Sequence, residues 1–315
     1  MKNNNRKLDF TRLKTISLKK RKSKVSIKDF AKTASAGDTF SLFLDSLPNI
    51  LAAKDFKTII AALKNARKKK KAIILMIGAH VVKCGLNPIL IDLMRKGFIT
   101  AVAINGASAI HDFELAFCGK TSEEVEGSIK DGSFGMSRET AEFFNEAIRE
   151  AAASGQGLGK TLGELIIKKR LAFRRFSLLA GSIDSGVPLT VHVAIGTDII
   201  HPHPGCDGAA LGAGAMQDFR AFMETVSRLS GGVVMNIGSA VIMPEVFLKA
   251  VSTARNLGFS LENFTAVCFD MIKHYRPMQN VVKRPTASGG KGYYVIGHHE
   301  IMLPLLYRAL VEGEK

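Results

Sequence analysis

A lysine flanked by glycines near the C-terminus has the residue environment of a catalytic amine. Ser288–Gly292 reads Ser-Gly-Gly-Lys-Gly, so the neighbours of Lys291 have no side chains. Such neighbours let a bound substrate approach closely. A lysine amine becomes a nucleophile and forms imines when burial or a nearby cation lowers its pKa. We therefore predict that Lys291 is catalytic; the alternative is a solvated loop lysine that precedes a strand.

A second set of candidate residues lies in the last part of the strand predicted at 189–194 and in the segment after it. The set comprises His192, Asp198, His201, His203 and Asp207. Imidazoles and carboxylates bind zinc or iron, and a metal-dependent hydrolase is therefore one interpretation of this set. The prolines on both sides of His203 also suit a rigid loop that shapes a pocket. We expect contacts with substrate or cofactor here, and no resident metal.

These candidates are positioned by strands that alternate with helices. Continuous apolar runs at 72–77 and 99–104, with a helix at 87–96 between them, are typical of strands buried on both faces. Further strands are predicted at 189–194, 233–237, 264–269 and 293–296, and helices at 138–152, 171–185, 216–229 and 244–256. This order predicts an α/β fold with one doubly wound, mostly parallel, Rossmann-like sheet and helices on both faces.

Small residues follow three of the predicted strands. They are Gly78, Ala79, Asn105, Gly106, Ala107, Gly238 and Ser239. Open parallel sheets bind ligands at the carboxyl ends of their strands, and backbone N–H groups at a helix start can hold a phosphate. Ser108 and Asp112 could instead be simple helix caps. The segment 154–161 is similar to a phosphate-binding loop, but helical residues precede it, so we predict a loop between helices.

The basic charge is concentrated in the first part of the chain. Of the 44 Lys and Arg residues, 20 lie in residues 1–71, together with only 5 Asp and Glu. No aromatic residues that could stack on bases alternate with the lysine runs, which makes nucleic-acid binding an unlikely function. We predict a basic, disordered or loosely docked arm at 1–36 and a single α/β domain at 37–315.

The remaining composition indicates a cytoplasmic protein without a membrane anchor. The longest apolar runs are far shorter than the roughly 20 residues that cross a bilayer, and the N-terminus lacks an apolar targeting segment. The four cysteines are widely spaced, which favours reduced thiols over disulfides or a zinc ribbon.

Over residues 73–306 the order of these motifs resembles the deoxyhypusine synthase family. The resemblance rests on the strand-end turns, on Arg284-Pro285 before Ser288–Lys291, and on Leu303–Leu306. It implies NAD bound at the strand ends, homotetramers with active sites between subunits, and transfer of an aminobutyl group from spermidine. Lys291 matches the imine-forming lysine of that family, and the small strand-end residues fall on its NAD-contacting turns. Asp198 matches an NAD-site aspartate, and Asp207 is an equally good match.

Three departures from the family pattern affect the substrate. Ile110-His111 stand where the family has paired glutamates, Gly290 replaces a tryptophan, and no histidine occurs in 245–250. These changes remove groups that would hold a polyamine cation, so we expect a different amine.

We accordingly predict an NAD-dependent, deoxyhypusine synthase-like transferase that moves an aminoalkyl group from a polyamine to an acceptor amine. The substrate contacts are expected from His203, Asp207, His298 and Glu300. Three alternatives remain open: a metal-dependent hydrolase that uses His192, Asp198, His201 and His203; a non-catalytic nucleotide-binding protein; and an interaction protein that works through the basic arm.

Overall fold

A computed structural model describes residues 7–312 and shows an exposed arm followed by an α/β domain. The arm contains three short 3-10 turns, Phe10–Arg12, Leu18–Lys20 and Ile27–Asp29. Two backbone hydrogen bonds tie its end to the domain: Lys32 N–H donates to the Ser46 carbonyl, and Asn49 N–H donates to the Asp29 carbonyl. Within the described residues, none of the helices is long and apolar enough to cross a membrane.

Six parallel strands form one sheet in the order β3-β2-β1-β4-β5-β6. Their bounds are β1 Ile73–Ile77, β2 Ala101–Asn105, β3 Leu189–His192, β4 Val233–Ile237, β5 Thr265–Asp270 and β6 Lys291–Ile296. The predicted doubly wound, Rossmann-like sheet is confirmed. The direction of strand order reverses between β1 and β4, and this is the point where such sheets bind ligands.

Thirteen helices surround the sheet in the described part of the chain. They are α1 Phe40–Ser46, α2 Leu51–Lys68, α3 Ala79–Lys83, α4 Asn87–Arg95, α5 Gly106–Cys118, α6 Val125–Asp131, α7 Arg138–Ser154, α8 Leu158–Lys168, α9 Leu178–Asp184, α10 Gly208–Ser227, α11 Ile242–Asn256, α12 Tyr275–Pro277 and α13 His299–Val311. A π-helical turn, Met278–Lys283, follows α12.

Residues of β1 show why helices cover both faces of the sheet. Ile73, Leu75 and Ile77 belong to one apolar core, whereas Ile74 and Met76 belong to a second core on the opposite face. Side chains alternate between the faces of a strand, so an uninterrupted apolar strand requires a core on each side.

Two of the predicted helices have different bounds because polar side chains cap them. The helix expected over 171–185 begins only at Leu178, since the Ser177 hydroxyl accepts a hydrogen bond from Ala180 N–H. The helix expected over 216–229 begins earlier, at Gly208, because the Asp207 carboxylate accepts hydrogen bonds from two N–H groups of its first turn. Side-chain caps stabilise a helix start by about 1 kcal/mol.

Two buried carboxylates join elements that are distant in sequence. Asp218 on α10 accepts hydrogen bonds from Gly159 N–H at the start of α8 and from Val191 N–H in β3. This contact gives the segment 154–161 a structural role. The segment does connect two helices, but its loop is only 155–157, since residues 158–161 already belong to α8. Asp112 accepts hydrogen bonds from the Ser177 hydroxyl and from the N–H groups that begin α9. Asp112 thus helps to cap α9 from within α5, whereas the sequence alternative was a cap at the start of the helix after β2, a position that Asn105 occupies.

The arm generates a prediction about stability. Deleting residues 1–26 should change the melting temperature by less than about 2 °C, because the described part of this segment is exposed and both anchoring hydrogen bonds lie beyond it. The same deletion should weaken retention on heparin, since it removes much of the basic charge. Thermal melts of the full-length and truncated proteins, with heparin chromatography, check both statements. A large loss of stability would show that the arm is a structural part of the domain.

Candidate functional site

The carboxyl edge of the sheet brings together the small residues that follow β1, β2 and β4. The three strands are parallel neighbours in register, so Gly78 and Ala79, Asn105 to Ala107, and Gly238 and Ser239 meet at one edge. Of the predicted site residues, this group is assembled as the sequence indicated.

The turns after β1 and β4 contact each other directly. Gly78 N–H donates to the Ile237 carbonyl, and a Cβ atom at Gly78 would collide with the carbonyl oxygen of Gly238. The absence of a side chain at Gly78 is therefore required by the protein's own packing. It brings the two turns into contact at the point where the strand order reverses.

Asp198 lies against the first turn of α5. Its side chain is 4% exposed, and a Cβ atom on Gly106 would collide with its Oδ2. This Oδ2 atom has no hydrogen-bond partner among residues 7–312, and Nε2 of His201 lies 3.9 Å away, beyond hydrogen-bonding distance. Burial raises the pKa of Asp198 to about 6. The structure thus keeps the buried carboxylate of Asp198 beside the start of α5, where its burial costs folding free energy.

His299 is the buried histidine that the sequence interpretation missed. It is 1% exposed, and neither of its ring nitrogens has a hydrogen-bond partner in the described structure. Its ring lies 5.8 Å from that of His80, and Nε2 faces Gly238. Burial lowers the pKa of His299, and nearby Asp270 opposes this shift. A neutral ring with one free donor and one free acceptor therefore lies beside the turn after β4.

His298 and Glu300, which were predicted as substrate contacts, flank His299 but point outward. Their side chains are 65% and 50% exposed, and His298 Nδ1 lies 3.9 Å from a Glu300 carboxylate oxygen. At the start of α13, only the second histidine of Gly-His-His-Glu, His299, points toward the edge of the sheet. The sequence signal was the apolar spacing of the following Leu303 and Leu306, which places His299 on the same buried face.

The histidines after β3 do not form one site. His192 is buried in the sheet, where Nε2 lies 3.0 Å from the Thr190 hydroxyl and burial lowers its pKa to about 3. Nδ1 of His203 accepts a hydrogen bond from Gly205 N–H. Asp207, the other predicted substrate contact in this segment, caps α10. Within residues 7–312, no three His, Cys, Asp or Glu side chains are grouped so that they could hold a metal ion.

Lys291 lies at the opposite edge of the sheet from the other candidates. It is the first residue of β6 and pairs with Thr265, the first residue of β5. The length of β6 separates it from the carboxyl edge by roughly 16 Å, at about 3.3 Å per residue. The sequence interpretation placed Lys291 just before a strand, and in a parallel sheet that position belongs to the amino edge. Lys291 and the strand-end turns of one chain are therefore not brought together.

A cavity of about 270 Å³ opens beside Asp198 at the β2–β3 end of the carboxyl edge. Its walls come from α3, from α5, from the segment around α6 and from the loop after β3. The polar lining residues are Lys83, His111, Glu114, Ser122, Glu123, Thr197 and Asp198, and the apolar ones are Ala107, Ile110, Val125, Phe134 and Ile199.

Comparison with known proteins identifies the fold. No protein-family model and no curated protein matches this chain. Among solved structures, a protein from Entamoeba histolytica provisionally assigned as a deoxyhypusine synthase is 13% identical with a TM-score of 0.52, and the match covers 89% of this chain and 95% of that one. ArgZ, an arginine dihydrolase of cyanobacteria, is 18% identical with a TM-score of 0.50. A conserved protein of Methanococcus maripaludis S2, provisionally assigned to the LOR/SDH type, is 18% identical with a TM-score of 0.48, over 89% of this chain and 72% of that one.

The fold and the strand-end site thus define a Rossmann-like α/β protein. More particularly, the chain has the fold of deoxyhypusine synthase over nearly the full length of the Entamoeba protein, so the resemblance expected from sequence is confirmed for the fold. The ArgZ match covers 82% of this chain but only 31% of ArgZ. At these identities the similarity establishes the fold alone.

The buried carboxylate of Asp198 generates a prediction about stability and pH. Its pKa in the folded protein, about 6, exceeds the ordinary value of 3.8, so the folded state binds this proton more tightly than the unfolded state does. This contribution to stability is present at pH 4 and is lost as the pH rises through 6. Asp198→Asn removes the charge and should raise the free energy of unfolding at pH 7.5 by about 2–3 kcal/mol, with little effect at pH 4.

Urea unfolding at the two pH values measures this difference. Asp207→Asn is the matched control, because asparagine caps a helix as well as aspartate does and the residue is exposed. Equal stability of wild type and Asp198→Asn at both pH values would show that the Asp198 charge is compensated.

Proposed function

We propose that this protein is an NAD-dependent enzyme acting on a small amine at the carboxyl edge of its sheet. The observation that carries the proposal is a set of buried polar atoms along this edge without hydrogen-bond partners in the described structure. They are Oδ2 of Asp198, Nε2 of His201, Oδ1 of Asn236 and both ring nitrogens of His299. Buried polar groups are normally paired, so a row of unpaired ones at the switch point of a Rossmann-like sheet fits a polar ligand.

The residues present suit the two halves of a dinucleotide. On the β2–β3 side, the Asp198 carboxylate would accept hydrogen bonds from ribose hydroxyls, and Lys83 would face the phosphates. On the β4–β5 side, His80, His299 and Asp270 would surround the nicotinamide. When bound, NAD accepts a hydride from the carbon that carries the substrate amine.

The side chains on the β5–β6 side suit an amine substrate. Asp270 is buried at the end of β5, and His274 Nε2 lies 3.9 Å from one of its carboxylate oxygens. Glu300 adds a second, exposed carboxylate. These charges attract a cationic amine, and the neutral ring of His299 is positioned to accept a proton from it.

We further propose that the reaction is an aminoalkyl transfer and that Lys291 serves the site of a second copy of the chain. Two copies related by a twofold axis can lie with their sheets in opposite directions, so that the amino edge of one runs beside the carboxyl edge of the other. Exposed apolar side chains at the carboxyl edge, Met271, Ile272, Ile296 and Ile301, support a subunit contact there. In a homotetramer with sites between subunits, the amino edge of one sheet would lie beside the carboxyl edge of its partner's sheet in this way.

Cofactor binding is tested by calorimetry with NAD and NADP. NAD should bind with micromolar affinity, and NADP should bind at least about tenfold more weakly, because the Asp198 carboxylate repels a 2′-phosphate and none of the described residues that line the cavity is an arginine. Asp198→Asn should reduce this preference. If millimolar NAD produces neither heat nor a thermal shift, the cofactor assignment is wrong.

The lysine step is tested by trapping. Incubation with NAD, spermidine or another polyamine, and borohydride should give a covalent adduct that peptide mapping places on Lys291. Lys291→Arg keeps the charge but cannot form an imine, so the adduct should disappear while NAD binding persists. Lys168→Arg is the matched control, because Lys168 is exposed on α8 and belongs to neither candidate site, so the adduct should persist in this variant.

Mixed oligomers test whether the site is shared. Lys291→Arg and Asp270→Asn should each abolish the adduct alone, and subunits of the two variants refolded together should recover part of it. Recovery is expected only if one chain supplies the lysine and its partner the strand-end residues. An adduct that survives Lys291→Arg would refute the role of this lysine.

A further inference from the structure

The cavity beside Asp198 is too small for a whole dinucleotide. Its volume of about 270 Å³ is near the lower end of ligand pockets, which begin at roughly 300 Å³. It lies at the β2–β3 side of the switch point, where Rossmann-like sheets place one half of the ligand. A cavity of this size and place suits a single ring system with part of its ribose.

A chain of hydrogen bonds in the cavity wall fixes the proton of His111. The Thr121 hydroxyl donates to Oε2 of Glu114 at 2.5 Å, since a carboxylate only accepts. The Thr121 oxygen is then an acceptor toward Nδ1 of His111, which lies 2.7 Å away. The neutral form of the ring therefore carries its proton on Nδ1, which leaves Nε2 as an acceptor.

The environment of Glu114 strengthens this chain. Burial raises the pKa of Glu114, but the nearby His111 and the hydrogen bond from Thr121 together outweigh burial, so its pKa lies below the ordinary value. Glu114 is thus a carboxylate that keeps accepting from Thr121. Nε2 of His111 has no hydrogen-bond partner in the described part of the chain, and His111 lines the cavity.

Apolar side chains give the cavity walls that suit a flat ring. Ile110 and Ile199 line its inner part, and Val125 and Phe134 line it with exposed apolar surface. Aliphatic and aromatic side chains pack well against the faces of a heterocycle, whereas a histidine at the rim meets its edge. Nε2 of His111 is one of the polar atoms of this lining that no described residue pairs, and it is thus available to read a ring substituent.

We infer that this cavity binds an amino-substituted purine, the adenine of NAD, and that Nε2 of His111 accepts a hydrogen bond from its exocyclic amino group. The inference rests on the proposed function. Adenine presents an N–H donor at its 6-position, whereas a 6-oxo purine presents an acceptor. Two acceptors facing each other leave both unpaired, so the site should discriminate between these bases.

Calorimetry with NAD and nicotinamide hypoxanthine dinucleotide tests the inference on the wild-type protein. The two ligands differ only in the 6-amino and 6-oxo groups, and the oxo ligand should bind about tenfold more weakly. Equal affinities would overturn the inference and leave the proposed function standing. Failure of both ligands to bind would overturn the two together.

The tautomer is tested without any ligand. In the ¹⁵N spectrum of histidine-labelled protein, the His111 signals, assigned by their loss in His111→Gln, should report a proton on Nδ1. Thr121→Val should shift the proton toward Nε2 and remove the preference for NAD over its hypoxanthine analogue, and Thr121→Ser should restore both. An Nε2 proton in the wild type, or unchanged discrimination in Thr121→Val, would overturn the role of His111.

Discussion

The parallel pairing of β1 with both of its neighbours determines where every candidate residue lies. β1 is buried on both faces and runs in register with β2 and β4. Parallel strands all point their carboxyl ends the same way, so each strand-end turn meets the others at one edge. The same pairing sends every residue that begins a strand to the far edge. Residues that follow the strands can therefore share one site. Residues that begin the strands, such as Lys291, cannot join that site within the same molecule.

The buried carboxylates differ in their hydrogen bonding, and this difference distinguishes those that stabilise the fold from the one that belongs to the candidate site. Asp112 and Asp218 are buried, and each accepts several hydrogen bonds that join distant elements. Asp198 is similarly buried but leaves one oxygen unpaired. A buried charge that is not compensated costs free energy. Such a destabilising group persists where a ligand compensates it when bound. The contrast among three aspartates of similar burial therefore assigns a structural role to Asp112 and Asp218 and makes Asp198 a candidate site residue.

The sequence predicted the fold well and the site only in part. Uninterrupted apolar strands separated by helical segments leave few alternatives, and all six strands were anticipated within a few residues. The bounds of α9 and α10 were missed because single side chains, Ser177 and Asp207, set them. The helical spacing of His299 with Leu303 and Leu306 shows which residue of Gly-His-His-Glu turns inward. His298 and Glu300 were selected in place of His299 because this spacing was not extended back to the start of α13. Lys291 was expected just before a strand and is instead the first residue of β6, and the edge to which that strand start belongs depends on the direction of its partner.

The position of Lys291 has a consequence for the sheet itself. Among residues 7–312, β6 is an outer strand that pairs only with β5, so one side of its backbone has no partner strand in that part of the chain. Exposed strand edges of this kind invite chains to join end to end into aggregates, and a lysine on the outer strand opposes this because a joining strand would have to desolvate its charge. Lys291 is exposed at the start of β6. Whatever chemistry it performs, the same side chain would oppose the addition of a further strand at the start of β6.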